Sequence, residues 1–198
     1  RDRHSFPTLL SSDLARSSAS GRSSSRICPP AASAAPCFTT FCSSRTLPGH
    51  GYDNNLASAA ATKPRLAVFP GGRDEVIGVM RIRADAKLPF VPRGAGTGLA
   101  GGALADDIVL LGLHRLKQII DVDRVRLSAT VEPGVVNAVL NRRVAQYGLF
   151  YAPDPSSDTA CTIGGNVAEN AGGPHCLKYG VTLNHVLEIT VLLPSGEI

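Results

Sequence analysis

Pro92-Arg93-Gly94-Ala95-Gly96-Thr97-Gly98-Leu99-Ala100-Gly101-Gly102, then Ala103-Leu104-Ala105-Asp106-Asp107 and Ile108-Val109-Leu110-Leu111, is the stretch that decides the fold. Five of the nine residues from Gly94 to Gly102 are glycine. Each weakens regular structure by about 0.5–1 kcal/mol relative to alanine, so packing alone does not account for them. What glycine supplies is positive φ and close approach of backbone N–H groups, which together form a concave anion site. Thr97 adds a hydroxyl. Gly96, Gly98 and Gly101 also match G-x-G-x-x-G, with Asp121 twenty residues further on, where a ribose-binding acid would stand. A nicotinamide-binding Rossmann unit is therefore one reading. That unit needs a helix directly after the glycines. Here the β-rich run from Ile108 begins six residues after Gly102, which predicts a strand instead. No Gly-Lys-Ser/Thr follows, so the stretch is not a P-loop.

Working outward, Leu66-Ala67-Val68-Phe69 before Pro70-Gly71-Gly72 reads as a strand and turn. Asp74 and Glu75 suit the start of a helix, and Val76, Ile77, Met80 and Ala84 give it a buried stripe. Leu88–Pro92 is a second strand, placed at an edge or end by its prolines. Lys117–Asp123 and Arg126–Val131 predict a strand pair turning near Asp123-Arg124. Val135, Val136, Val139, Leu140 and Val144 predict a helix stopped by Gly148. Tyr151–Gly173 reads as a long segment rich in Gly, Asn, Pro and Ser, and Val186–Leu193 as a closing strand before Pro194-Ser195-Gly196.

That long segment carries a second glycine cluster, Ile163-Gly164-Gly165-Asn166-Val167-Ala168-Glu169-Asn170-Ala171-Gly172-Gly173. Two phosphate-style loops about sixty residues apart imply a long ligand gripped from two sides, as a dinucleotide would be. Other reactive side chains read more plainly. His175 and Cys176 lack metal-ligand spacing and an evident third group. Ser156 and Ser157 lack a G-x-S-x-G elbow. Cys161 reads as a buried small residue, Arg142-Arg143 as the wet face of a helix, Lys178 as a solvated cation, and Asp121 and Asp123 as turn or surface acids.

The first 48 residues have another texture. They hold six Arg, two Asp and twelve Ser, whereas the rest of the chain balances 14 basic against 14 acidic side chains and has five Ser. The net charge of +4 therefore sits in this segment and carries no signal of nucleic-acid binding. Without an apolar stripe it is expected to be a disordered tail; its Arg- and Ser-rich, acid-poor composition also suits a transit peptide or non-coding sequence ahead of the start. The chain has no apolar run of about 18 residues, so no transmembrane segment is expected. Aromatics at 5% without Trp weaken any single-strand stacking role. Five Cys at irregular spacing form neither a disulfide framework nor a CxxC site.

The glycine loop, Ala152-Pro153-Asp154-Pro155-Ser156-Ser157, Ile163–Gly173 and His175-Cys176-Leu177-Lys178-Tyr179-Gly180 together resemble the FAD-binding domain of the vanillyl-alcohol-oxidase (PCMH) type. Within that superfamily they are most similar to the FAD-linked D-2-hydroxyacid dehydrogenases of the glycolate-oxidase kind. The similarity runs from about Pro64 to Gly196. The resemblance implies an α+β fold, a PCMH-type domain of two small α/β subdomains over residues 50–198, truncated, behind the tail at 1–48. It implies FAD wrapped at its pyrophosphate by Arg93, Gly94, Ala95, Gly96, Thr97, Gly98, Leu99, Gly101 and Gly102. Pro153, Asp154 and Ser157 would lie near the flavin end. Thr162, Gly164, Gly165, Asn166, Ala168 and Asn170 would line the isoalloxazine and ribityl side, Gly173 would allow close approach, and Ile189 would touch the adenine half. Members that bind FAD covalently often carry His where Thr97 stands, so the resemblance implies non-covalent FAD.

The activity it implies is oxidation of a 2-hydroxy acid, glycolate or D-lactate, to the 2-oxo acid with hydride transfer to the flavin. An electron acceptor and other glycolate-oxidase-type subunits would be partners. The location would be the cytoplasm or the membrane periphery, or mitochondria if residues 1–48 are a transit peptide. Members of the family continue into a substrate-binding cap, so this stretch is expected to be inactive by itself. The competing expectations are an inactive remnant and the Rossmann protein. No catalytic residue or metal ligand is assigned.

Overall fold

The computed structural model describes residues 64–198 and the backbone of Phe41–Cys42. The remainder of the expected tail, and residues 50–63 at the expected start of the domain, lie outside the described residues. Within the segment expected to be disordered, Phe41–Cys42 forms a two-residue strand, β1.

The first layer is a four-stranded sheet in the order β1-β2-β4-β3. Its other strands are β2 (Leu66–Val68), β3 (Phe90–Arg93) and β4 (Val109–Gly112). β2 and β3 both pair parallel to β4, and β1 pairs antiparallel to β2. Every residue of β4 is buried. Val109 and Leu111 pack against Val79 and Met80 of helix α1 (Arg73–Asp85), while Leu110 packs against Ala67, Val91 and Ala105. A parallel strand covered on both faces needs an unbroken apolar run, which explains why Ile108–Leu111 does not alternate. Proline-containing β3 takes the edge, as expected. The buried residues of α1 are Val79 and Met80, one turn on from Val76; Ile77 and Ala84 of the expected stripe are only partly buried.

The second layer is an antiparallel ribbon of β5 (Ile119–Asp123) and β6 (Ser128–Val131) backed by α2 (Asn137–Ala145). The ribbon turns where the sequence predicts: Asp123 Oδ1 accepts from the N–H groups of Val125 and Arg126 at 2.8 and 2.9 Å. Both hydrogen bonds and Arg126 stabilise the ionised form and hold the Asp123 carboxyl below its usual range. Leu140, Val144, Tyr151, Val131 and Ile163 fill the core beneath. Gly148 has φ +71°, which allows the chain to reverse after α2. Arg142 and Arg143 are exposed, as expected of a wet face.

No helix lies between Gly102 and Val109, only turns and bends before β4, so the strand expected there is present and the Rossmann alternative fails for want of a helix. Two expectations change. The long segment after Tyr151 is not all loop: Ile163–Glu169 forms α3 despite two glycines. Thr162 caps it, accepting from the Gly165 N–H at 3.4 Å. Val186–Leu193 forms no strand, because it has no ladder partner among the described residues. Its alternation survives, with Leu187, Ile189, Val191 and Leu193 exposed. After α3 come a short helix, α4 (Cys176–Tyr179), and a 3-10 turn at Thr182–His185. No helix among the described residues is long and apolar enough to cross a membrane.

Burial pushes the Tyr151 phenol up from 10.0 to about 12. Its folded pKa lies above the unfolded one, so the associated stability is complete below pH 10 and is lost as pH rises toward 12. Tyr151→Phe should flatten the fall in urea-unfolding free energy across that window, a difference of about 2–3 kcal/mol. An unchanged alkaline slope would disprove it.

Candidate functional site

The two glycine segments meet. A side-chain carbon at Gly94 would collide with the Thr162 hydroxyl, so the first loop crosses directly over the cap of α3. At Gly98 and Gly102 the neighbour is Glu169, at the other end of the same helix. The loop thus runs along one side of α3 from cap to last turn. Gly96 has φ +69° and lies under the Arg93 guanidinium, which would collide with any side chain there. Gly101 has φ +85° and its carbonyl accepts from the Leu104 N–H at 3.1 Å, closing a turn. Ala95 and Leu99 are exposed, and Thr97 is half-buried. A bent backbone beneath a guanidinium is a chemically apt seat for phosphate oxygens.

The helix is locked from below. Ile163 N–H donates to the Val135 carbonyl and Gly164 N–H to the Pro133 carbonyl, both at 2.8 Å. A Cβ at Gly164 would stand 2.6 Å from Pro133 Cβ, so glycine is required for this approach. Beneath α3, Asn166 Nδ2 donates to Asn137 Oδ1 at 3.0 Å, and Asn137 Nδ2 donates to the Pro153 carbonyl at 3.1 Å. Both asparagines are buried. One amide chain therefore fixes α2, α3 and the Pro153–Asp154 turn relative to each other. Asn137 escapes sequence reading because it looks like any helix-surface amide. The available signal was its register: it lies three residues before Leu140 and seven before Val144, on the buried stripe.

The second segment folds around Asp154. Its carboxylate accepts from the His175 N–H at 3.3 Å and pairs with His175 Nδ1. Gly173, with φ +141°, lets the backbone press against Asp154 where a side chain would collide. Asn170 takes the left-handed conformation that ends α3, and its Oδ1 accepts from the Leu183 N–H at 2.9 Å. The Ser157 carbonyl accepts from Ala160 and Cys161 N–H groups. Cys161 is buried, as expected, and burial raises its thiol pKa. Lys178 is exposed, with its Nζ over the Tyr179 ring at 4.8 Å. Among the described residues no three His, Cys, Asp or Glu side chains converge as metal ligands would.

On the other side of α3 a cleft of about 460 Å³ opens between α1, the edge of the first sheet, the β5–β6 ribbon and the 188–198 segment. Gly164, Val167 and Ala168 of α3 line it together with Met80, Pro133 and Ile189. Ile189 therefore shares a cavity with the α3 residues and stands apart from the glycine loop. The structure thus brings together Arg93, Gly94, Gly96, Thr162 and Gly165 at one end of α3 and Gly98 and Gly102 at the other, with Pro153, Asp154, Asn166 and Gly173 beneath and beside it.

Comparison with known proteins fits this arrangement. A family profile described as an FAD binding domain matches residues 64–198. The glycolate oxidase subunit GlcD of Escherichia coli K12 is 48% identical over 147 residues, which are 74% of this chain and 30% of that protein. The subunit of the same name from Bacillus subtilis is 44% identical over 149 residues, and the D-lactate dehydrogenase of Anaerostipes hadrus is 36% identical over 146. The chain therefore spans under a third of the length of these relatives. Among solved structures, 6-hydroxy-D-nicotine oxidase from Arthrobacter nicotinovorans matches with a TM-score of 0.60 at 23% identity, over 69% of this chain and 29% of that one. An alkyldihydroxyacetonephosphate synthase matches with a TM-score of 0.57 at 24% identity, over 62% and 23%. At those identities the two structures speak to the fold alone.

Asn137→Ala should leave the Asn166 amide and the Pro153 carbonyl unsatisfied in a buried place. The expected loss is about 1–3 kcal/mol in chemical unfolding. Wild-type stability in that variant would show the amide chain to be dispensable.

Proposed function

This chain belongs to the FAD-binding-domain family, and from that premise we propose that residues 93–102 and 153–173 hold FAD for a flavoenzyme that oxidises a small 2-hydroxy acid to the 2-oxo acid. The observation that carries the reading is the crossing of the Gly94–Gly102 loop over both ends of α3, with Arg93 folded onto Gly96. Those residues fit the cofactor. Backbone N–H groups of the bent loop would bind the pyrophosphate, and Arg93 would offset its charge. The buried Asn137–Asn166 pair would keep Pro153 and Asp154 in place beside the flavin. Ile189 would touch the adenine half from the apolar cleft that it lines. Thr97 cannot form a bond to the flavin, so FAD is held non-covalently.

When bound, the flavin supplies the hydride acceptor, and the chain contributes binding and orientation. The relatives' names, which give glycolate and D-lactate, support this substrate class. Two of those relatives are named as subunits, which supports work in an assembly with other chains and an electron acceptor. A stretch that spans under a third of its relatives supports a cofactor-binding part that relies on the rest of such an enzyme for substrate.

Desalted protein incubated with FAD should keep a visible flavin band. Gly98→Val isolates the ligand from the fold, because a Cβ there meets only the flexible Glu169 side chain, at 3.7 Å. That variant should unfold like wild type yet lose the band; a retained band would count against the loop. Acid precipitation should release the flavin into the supernatant, and glycolate or D-lactate should bleach the bound flavin without oxygen in the assembled enzyme. Flavin remaining with the pellet would refute non-covalent binding. Flavin that no 2-hydroxy acid bleaches would refute the substrate class.

A further inference from the structure

Glu169 stands where its charge is unfavourable to its own helix and would compete with an anion in the loop. It is in the last turn of α3, which contains no basic residue. Carbonyl groups at a helix C-terminus carry partial negative charge, so a carboxylate there is disfavoured. Its carboxylate also lies across the anion loop: Oε1 is 3.1 Å from where a Cβ at Gly102 would stand, and Cδ is 3.7 Å from the same point at Gly98. No ion pair or hydrogen bond among the described residues holds it there. The other half of the loop carries the opposite charge, the Arg93 guanidinium over Gly96. The loop is therefore polar along its length, cationic at Gly96 and anionic at Gly98–Gly102. A local rule broken without a compensating partner points to a ligand.

We propose that Glu169 makes this loop select a dinucleotide over a simple phosphate. The inference rests on the reading of residues 93–102 as a phosphate loop. A carboxylate accepts hydrogen bonds and cannot donate them, so it suits a sugar or ribityl hydroxyl and repels phosphate oxygens. A ligand with its phosphates near Arg93 and a hydroxyl-bearing arm over Gly98–Gly102 satisfies both ends. A free phosphate or pyrophosphate that spreads over the whole loop meets the carboxylate. One like charge at about 4 Å weakens binding by about fivefold in water, and by more where water is excluded.

The test is calorimetric titration of the 198-residue chain and its Glu169→Gln and Glu169→Ala variants with inorganic pyrophosphate and, separately, FAD. Glutamine keeps an acceptor oxygen and removes the charge. It should tighten pyrophosphate about five- to tenfold, with the gain shrinking in roughly 0.5 M salt, and should change FAD affinity by less than about twofold. Alanine removes the acceptor as well and should weaken FAD. Glu169 is exposed, so both variants should melt no lower than wild type. An FAD-to-pyrophosphate preference unchanged in Glu169→Gln overturns the proposal and leaves Glu169 a solvated surface acid. Wild type that binds pyrophosphate but not FAD defeats the cofactor reading and this selection together, whereas FAD bound with an unchanged preference in Glu169→Gln defeats the selection alone. Wild type that binds neither defeats the loop reading and this proposal with it.

Discussion

The buried hydrogen bond from Asn166 to Asn137, continued from Asn137 to the Pro153 carbonyl, is the constraint on which the site depends. Amides without partners in an apolar interior are costly, so α2, α3 and the Pro153 turn can adopt only arrangements that satisfy all of these groups. That requirement fixes α3. The position of α3 then fixes everything that touches it: the Gly94 crossing at its cap, the Glu169 contact at its end, and the cleft on its far side. Hydrophobic packing under α2 supplies most of the driving force, but it does not set register as the amides do.

Glycine serves this arrangement in two physically different ways. At Gly96, Gly101 and Gly173 the backbone takes positive φ, which other residues adopt only with strain. At Gly94 and Gly164 the dihedral is ordinary and the requirement is space, against Thr162 in one case and Pro133 in the other. Gly98 belongs to neither group within the chain, since a Cβ there would sit at ordinary contact distance. Its openness is what a ligand would use. Charge follows a similar division, with the Arg93 guanidinium over Gly96 and the Glu169 carboxylate beside Gly98 and Gly102.

The arrangement also explains how an open glycine loop stays shaped. Among the described residues the loop has few backbone hydrogen bonds of its own, and its neighbours support it: the edge strand β3 that feeds it, and α3 along which it lies. A site built this way is preorganised by its supports, which reduces the ordering cost of binding.

The sequence by itself marked the glycine loop and determined the strands on either side of it, the β5–β6 ribbon and α2, because each has a local signature: glycine density, an unbroken apolar run, alternation, or a 3.6-residue stripe. It also carried enough ordered motifs to place the chain in its family. The tertiary structure decided what local signatures do not encode. Helix α3 forms against two glycines because Thr162 caps it and Pro133 packs on it, a contact between residues about thirty apart. The apolar run at Val186–Leu193 stays outside any sheet because a strand exists only where a partner completes its hydrogen bonds. Asn137 and Glu169 look like ordinary surface residues in the sequence. Only the folded chain places one in the core beneath the site and the other across its glycines, since burial and proximity arise from long-range packing.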